Sequence, residues 1–144
     1  FGYHFWDADT EIPSDMQKQI TDKKIFTQEM RNKFTETIIN KINLLQKHFE
    51  NVVVAQALYK NLNRNQIARA YPDAHFLLIE ASKAVILNRI QIRNNQVDQD
   101  YAEKIAFHFE YPQHSYTLIK NDSDEATIIA QIQRFLDLNA GQNQ

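Results

Sequence analysis

An α/β fold built on a parallel sheet is what this sequence predicts, and three observations predict it. Four short apolar runs alternate with amphipathic helical patterns, which is the order of βαβ units. Most of those runs are continuous rather than alternating, as in strands covered on both faces. Each run exits into polar residues, and parallel α/β sheets bind ligands outside the carboxyl ends of their strands.

The first expected strand is Tyr3 to Trp6, stopped by Asp7-Ala8-Asp9, with Thr10, Glu11 and Pro13 reading as loop. Phe34, Ile38, Ile42, Leu45 and Phe49 then share one face of a long helix. Thr27 suits its N-cap, and Glu29 suits the positive end of its dipole. The second strand is Val52 to Leu58, and Gln56 to Lys60 form its exit. The third is His75 to Ile79, leaving through Glu80 to Ser82. Ser82 can cap a helix carrying Val85, Ile86, Ile90 and Arg93. Asp98 can start another, with Ala102, Ile105 and Phe109 inward. The fourth strand, Tyr116 to Ile119, exits at Asn121 and Asp122. Ser123, Asp124 and Glu125 lead into a last helix with Ile128, Ile129, Ile132, Phe135 and Leu136 on one face. The polar tail Asn139 to Gln144 is expected to fray. No repeat, linker or low-complexity stretch divides the chain, so residues 1–144 are expected to form one domain.

Composition narrows the function classes. A net charge of -2 and the lack of a basic stripe with interleaved aromatics argue against nucleic acid. No apolar run approaches the roughly 18 residues of a membrane span. There is no Cys, hence no disulfide framework and no thiol nucleophile. No signal peptide is visible, and the cytoplasm is the expected compartment. Glycine is scarce: only Gly2 and Gly141 occur, where average usage of about 7% would give roughly ten. A Gly-rich phosphate cradle is therefore not within these residues. The five His show no metal-ligand spacing beside a carboxylate set.

The Asp-x-Asp at the end of the first strand is the leading chemical feature, since a strand exit is a common place to hold a hydroxyl or a metal. Its plainer reading is a turn with ordinary acceptors. Arg31, early in the long helix, can grip a carboxylate with a bidentate fork, or be a solvated surface Arg. Arg89 and Arg93 lie four apart on one helix face, where the plainer reading is two surface arginines paired with acids on the next helix. Asn121 and Asp122 suffice as a helix-capping turn.

Four pieces carry a family resemblance: "FWDAD" followed by "IPSDMQKQI"; "FTQEMRNKF"; "VVVAQALYKNLNRNQI"; and "ILNRIQIR" followed by "FEYP". In order and spacing they resemble the P-loop small-molecule kinases, gluconate kinase most of all and shikimate kinase next. The likeness covers most of Gly2 to Pro112. It implies a three-layer P-loop kinase-like fold, a parallel sheet flanked by helices. In that family the Asp-x-Asp strand is second. Ahead of it come a central strand, the phosphate-binding loop and the first helix, together roughly 30 residues. The G-x-x-x-x-G-K-S/T motif is nowhere in this sequence, and "FGYHF" resembles the end of that first helix. The expectation is a kinase domain lacking its N-terminal segment, with the absent strand belonging between those at Val52 and His75.

The resemblance also implies roles. Asp9 would hold the acceptor hydroxyl, and Asp7 would act on Mg²⁺ through water or support the substrate side. Arg31, Gln56, Lys60 and Arg64 would line the substrate side, although Tyr59 is an extra residue between Leu58 and Lys60 relative to the family. Arg89 and Arg93 would belong to a lid over the phosphates. Asn121 and Asp122 would lie near the adenine. The lid segment Asn94-Asn95-Gln96 departs from the His- and Phe-containing segment usual in gluconate kinases. The function this implies is ATP-dependent phosphorylation of a hydroxyl on a small metabolite such as a sugar acid, with ATP and Mg²⁺, and with neither nucleic acid nor membrane as partner. A homodimer is compatible with it, since dimers occur among the look-alikes. The alternative is a non-catalytic relative that binds a nucleotide or partner without a phosphate loop.

Overall fold

The computed structural model describes residues 1–93 and 98–140. The lid segment Asn94–Gln96 and the tail from Gly141 lie outside the described residues. The chain divides into two compact units.

Unit 1 comprises Phe1–Asp73 and Asp100–Gln113. Strand β1 (His4–Asp7) pairs in parallel with β2 (Val52–Ala55), setting Asp7 beside Ala55, so the two strand exits emerge together. A 3-10 turn at Ala8–Glu11 follows β1, then α1 (Ser14–Thr21) and α2 (Gln28–Leu45). Thr27 caps α2 as expected, its hydroxyl accepting from the Met30 amide at 3.2 Å. Phe34, Ile38 and Ile42 point inward from α2 and meet Trp6, Ala8, Met16 and Ile67 in the core. The helix stops at Leu45, before Phe49, which stacks on His4 at 3.8 Å instead of extending the helical face.

Helix α3 (Asn61–Ala70) was not apparent in the sequence because its buried face is polar. Asn61, Asn63 and Arg64 are buried there alongside Ile67. Asn63 donates to Asn32 Oδ1 and to the Thr35 hydroxyl, and accepts from Gln28, tying α3 to α2. Helix α5 (Gln99–Phe107) supplies one buried side chain, Tyr101, whose hydroxyl donates to the Lys24 carbonyl. Phe109, expected on the inner face of this helix, lies past its end.

Unit 2 comprises Ala74–Gln99 and His114–Gln144. Strand β3 (Leu77–Glu80) pairs in parallel with β4 (Thr117–Lys120). Ser82 caps α4 (Lys83–Arg93), accepting from the Val85 amide. Asp124, rather than Ser123, caps α6 (Glu125–Ala140), accepting from the Thr127 amide at 2.8 Å. The helix carries on through Asn139 and Ala140, where fraying was expected. Gln131 of α6 bonds both the amide and the carbonyl of Lys120 in β4.

The parallel strands and flanking helices agree with the α/β expectation. Two details differ. Strands β2 and β3 are shorter than their apolar runs, whereas β1 and β4 keep the expected length one residue further on, and among the described residues β2 and β3 each have one strand partner. The faces are also unequal rather than both covered: Phe5 is 62% exposed and Ile79 55%. No helix among the described residues is long and apolar enough to cross a membrane.

Candidate active site

Asp7, Asp9, Arg31, Gln56, Lys60 and Arg64 all belong to unit 1, with Asp7 and Gln56 at the joined exits of β1 and β2. A small pocket is lined by Arg31 and Gln56 of these six. Met16, Phe26, Phe34 and Leu58 supply apolar wall, and Arg31, Gln56 and Tyr59 supply polar atoms.

Arg31 sits in the first turn of α2, where its amide bonds the Thr27 carbonyl. The carbonyl of Arg31 accepts from Thr35, which Asn63 holds in turn. A chain of buried polar groups therefore fixes the helical turn that carries the guanidinium. The guanidinium lies 5.6 Å from the Phe26 ring and 5.9 Å from the Tyr59 ring. No carboxylate among the described residues forms an ion pair with it. Burial lowers its affinity for the proton, opposed by Tyr59, Tyr101 and Glu110. A half-buried cation flanked by aromatics and lacking a counter-ion is suited to an anionic ligand.

Gln56 adds a second unfilled valence: its Oε1 is buried with no hydrogen-bond partner. Ahead of both lies the Asp-x-Asp turn. Asp7 Oδ1 accepts from the Asp9 amide at 2.9 Å, so Asp7 holds the turn. Asp9 is open to solvent, yet partial desolvation and then the negative charge of Asp7 raise its carboxyl above the usual range. The Tyr59 phenol feels both Asp9 and Arg31, which places all three in one electrostatic neighbourhood.

Two of the six are already engaged within the protein. Arg64 was expected at the substrate, but it is only 4% exposed and turned inward. Its Nε donates to the Leu58 carbonyl, Nη2 to that of Tyr59 and Nη1 to Asn61 Oδ1, while its plane lies 5.0 Å from the Phe109 ring. It shapes the loop that lines the pocket, because a guanidinium fork suits adjacent carbonyls as well as it suits a carboxylate. Lys60 is likewise engaged, 3.1 Å from Glu110 Oε1.

The residue that sequence reasoning missed is Glu110. Its second oxygen accepts from the Asn61 amide at 2.8 Å, at the N-terminus of α3, and its own amide bonds the Tyr59 carbonyl. These hydrogen bonds, first that from the Asn61 amide and then that from Lys60, hold its carboxyl below the ordinary range. "FEYP" marked the place, but a role at α3 required knowing that α3 exists.

The other four residues lie in unit 2. Arg89 Nη2 donates to the carbonyl and to Oδ1 of Asn121. Asp122 Oδ1 accepts from the Ser82 amide at 2.6 Å. Those contacts tie α4 to the exit of β4, while the cap of α6 is Asp124 rather than Asn121 or Asp122. Arg93 ends α4 and is exposed.

No family model matches this chain, and no curated protein matches it. Solved structures do. A gluconokinase from Sinorhizobium meliloti 1021 superposes with a TM-score of 0.79 at 17% identity, covering 99% of this chain and 84% of that one. An unliganded sugar kinase from Janibacter sp. HTCC2649 gives the same score and identity over 94% of this chain and 80% of that one. The fold is that of these two kinases. At 17% identity the likeness concerns backbone architecture, and the side chains of the pocket have to speak for its chemistry.

Proposed function

We propose that residues 1–144 belong to a single kinase-like domain that phosphorylates a hydroxyl of a small polyhydroxy acid, with ATP as donor. The observation that carries this reading is the unpaired, half-buried guanidinium of Arg31 in a pocket that also holds an unsatisfied Gln56 acceptor. A carboxylate on the ligand answers the first and a ligand hydroxyl the second. The fold shared with a gluconokinase and a sugar kinase supports the same substrate class.

Asp9 is the base in this reading. Its raised carboxyl is a better proton acceptor than an ordinary aspartate once ionised. The acceptor O–H bond breaks as its oxygen bonds the transferred phosphorus; the proton goes to Asp9, and ADP leaves with the electrons of the broken P–O bond. Asp7 uses one carboxylate oxygen for the turn, so the other suits a water-mediated contact to Mg²⁺. That ion would arrive with ATP and neutralise phosphate charge. Arg89 and Arg93 serve the nucleotide side together with Asn121 and Asp122.

The test is ATP turnover by the full-length protein against sugar acids, shikimate and neutral polyols. A phosphorylated sugar acid, with polyols lacking a carboxylate much poorer, is the expected result. No acceptor-dependent ADP with any of them would leave a binding protein without catalysis.

A further inference from the structure

Tyr59 lines the same pocket as Arg31 and Gln56, and nothing in the reading above uses it. Its backbone is tightly held: the carbonyl accepts from Arg64 Nη2 at 3.1 Å and from the Glu110 amide at 2.9 Å. Its ring packs edge-on against Phe109 at 5.6 Å and beside the Arg31 guanidinium. Its hydroxyl nevertheless has no hydrogen-bond partner among the described residues. Phe would satisfy the same packing, and the hydroxyl, which is not sealed from water as Gln56 Oε1 is, stays available to a ligand.

We propose that Tyr59 is a specificity-determining, substrate-contacting residue, whose phenol bonds a hydroxyl of a polyhydroxy acid that Arg31 holds by its carboxylate. The inference rests on the pocket reading above and deepens it. Burial keeps the phenol protonated at neutral pH, so it donates, while Gln56 Oε1 can only accept. A ligand hydroxyl, which accepts and donates at once, satisfies the pair; a methylene in its place leaves both unmet. The pocket thus selects acids with a hydroxylated chain over plain carboxylates.

The experiment is calorimetric binding of D-gluconate and of hexanoate to the full-length protein without ATP, for wild type, Tyr59→Phe, Tyr59→Leu and Arg31→Ala. Tyr59→Phe removes only an unpartnered hydroxyl, so its thermal midpoint should match wild type. Losing one hydrogen bond should weaken D-gluconate about 3- to 10-fold and leave hexanoate unchanged. Tyr59→Leu should weaken both ligands, since it also removes the ring beside Arg31. If Tyr59→Phe binds D-gluconate within twofold of wild type while Arg31→Ala does not, Tyr59 is only packing and the proposal falls, with the kinase reading intact. If the Phe variant weakens D-gluconate but wild type transfers no phosphate to it, Tyr59 stands and the kinase reading falls. Failure of wild type to bind D-gluconate overturns both.

Discussion

Folding raises the Asp9 carboxyl, so the ionised form is the one the folded chain disfavours. Stability therefore declines as pH rises from the unfolded value of about 3.9 through the folded one, and the cost is complete above it. Asp9→Asn lacks that cost and keeps the turn, whose bond comes from the Asp9 amide rather than its side chain. The variant should melt higher than wild type at pH 7, and the difference should vanish below about pH 4. In the full-length protein its turnover should drop on the order of 10²- to 10⁴-fold with the KM for ATP unchanged. Unchanged turnover would remove Asp9 from the proton's path. Arg31 makes the complementary case, because its unpaired charge is also disfavoured by burial. Arg31→Ala should raise the acceptor KM on the order of tenfold to a hundredfold, the worth of a charge-assisted bond, at nearly constant kcat. An effect confined to ATP would place Arg31 in the other pocket. The Asp-x-Asp and Arg31 were legible in the sequence because each sits at an element boundary marked by a cap or a strand exit. The inward turn of Arg64 was not, since its partners are backbone carbonyls that no residue type announces.

Helices were legible where apolar residues recur along one face, whether or not that face is completely buried. Helix α2 repeats Phe34, Ile38 and Ile42 at four-residue intervals and was found with its cap. Helix α1 buries only Met16, and α3 hides asparagines and an arginine, so neither offers a long enough series of large apolar residues to mark it. The second strand was overextended because Ala57 and Leu58 prolong its apolar run, whereas the backbone leaves the ladder after Ala55 and turns, Leu58 N–H to Gln56 O. That departure creates the pocket wall. Glu110 holds the wall from the far side, through the Asn61 amide and Lys60. A lowered folded value means that its contribution is present above the unfolded carboxylate value and is lost as pH falls through the folded one. Glu110→Gln should cost about 1 kcal/mol at pH 7, allowing for partial exposure. The difference in thermal midpoint from wild type should close below about pH 4. A gap that persists at low pH would show that shape, rather than charge, is what Glu110 contributes.

Burial is distributed very unevenly over the molecule. Among the described residues, every buried apolar side chain except Ile119 belongs to unit 1. In unit 2 the helices α4 and α6 bury no residue completely, and their strands leave Ile79 and Leu118 open to water. Cooperative stability follows buried apolar area, so the two units should not resist opening equally. Native-state hydrogen exchange should find the amides of α2 and β2 protected well beyond those of β3, β4 and α6. Trp6, the chain's one tryptophan, is buried in unit 1 and reports on that unit alone. Its fluorescence should therefore change at a higher urea concentration than the far-ultraviolet circular dichroism, which sums over both. Ile38→Ala should cost about 2–5 kcal/mol and shift the fluorescence transition. Ile119→Ala should shift only the earlier dichroism phase. Coincident transitions in wild type, moved together by either substitution, would show that one cooperative core spans the chain despite the imbalance of its buried side chains.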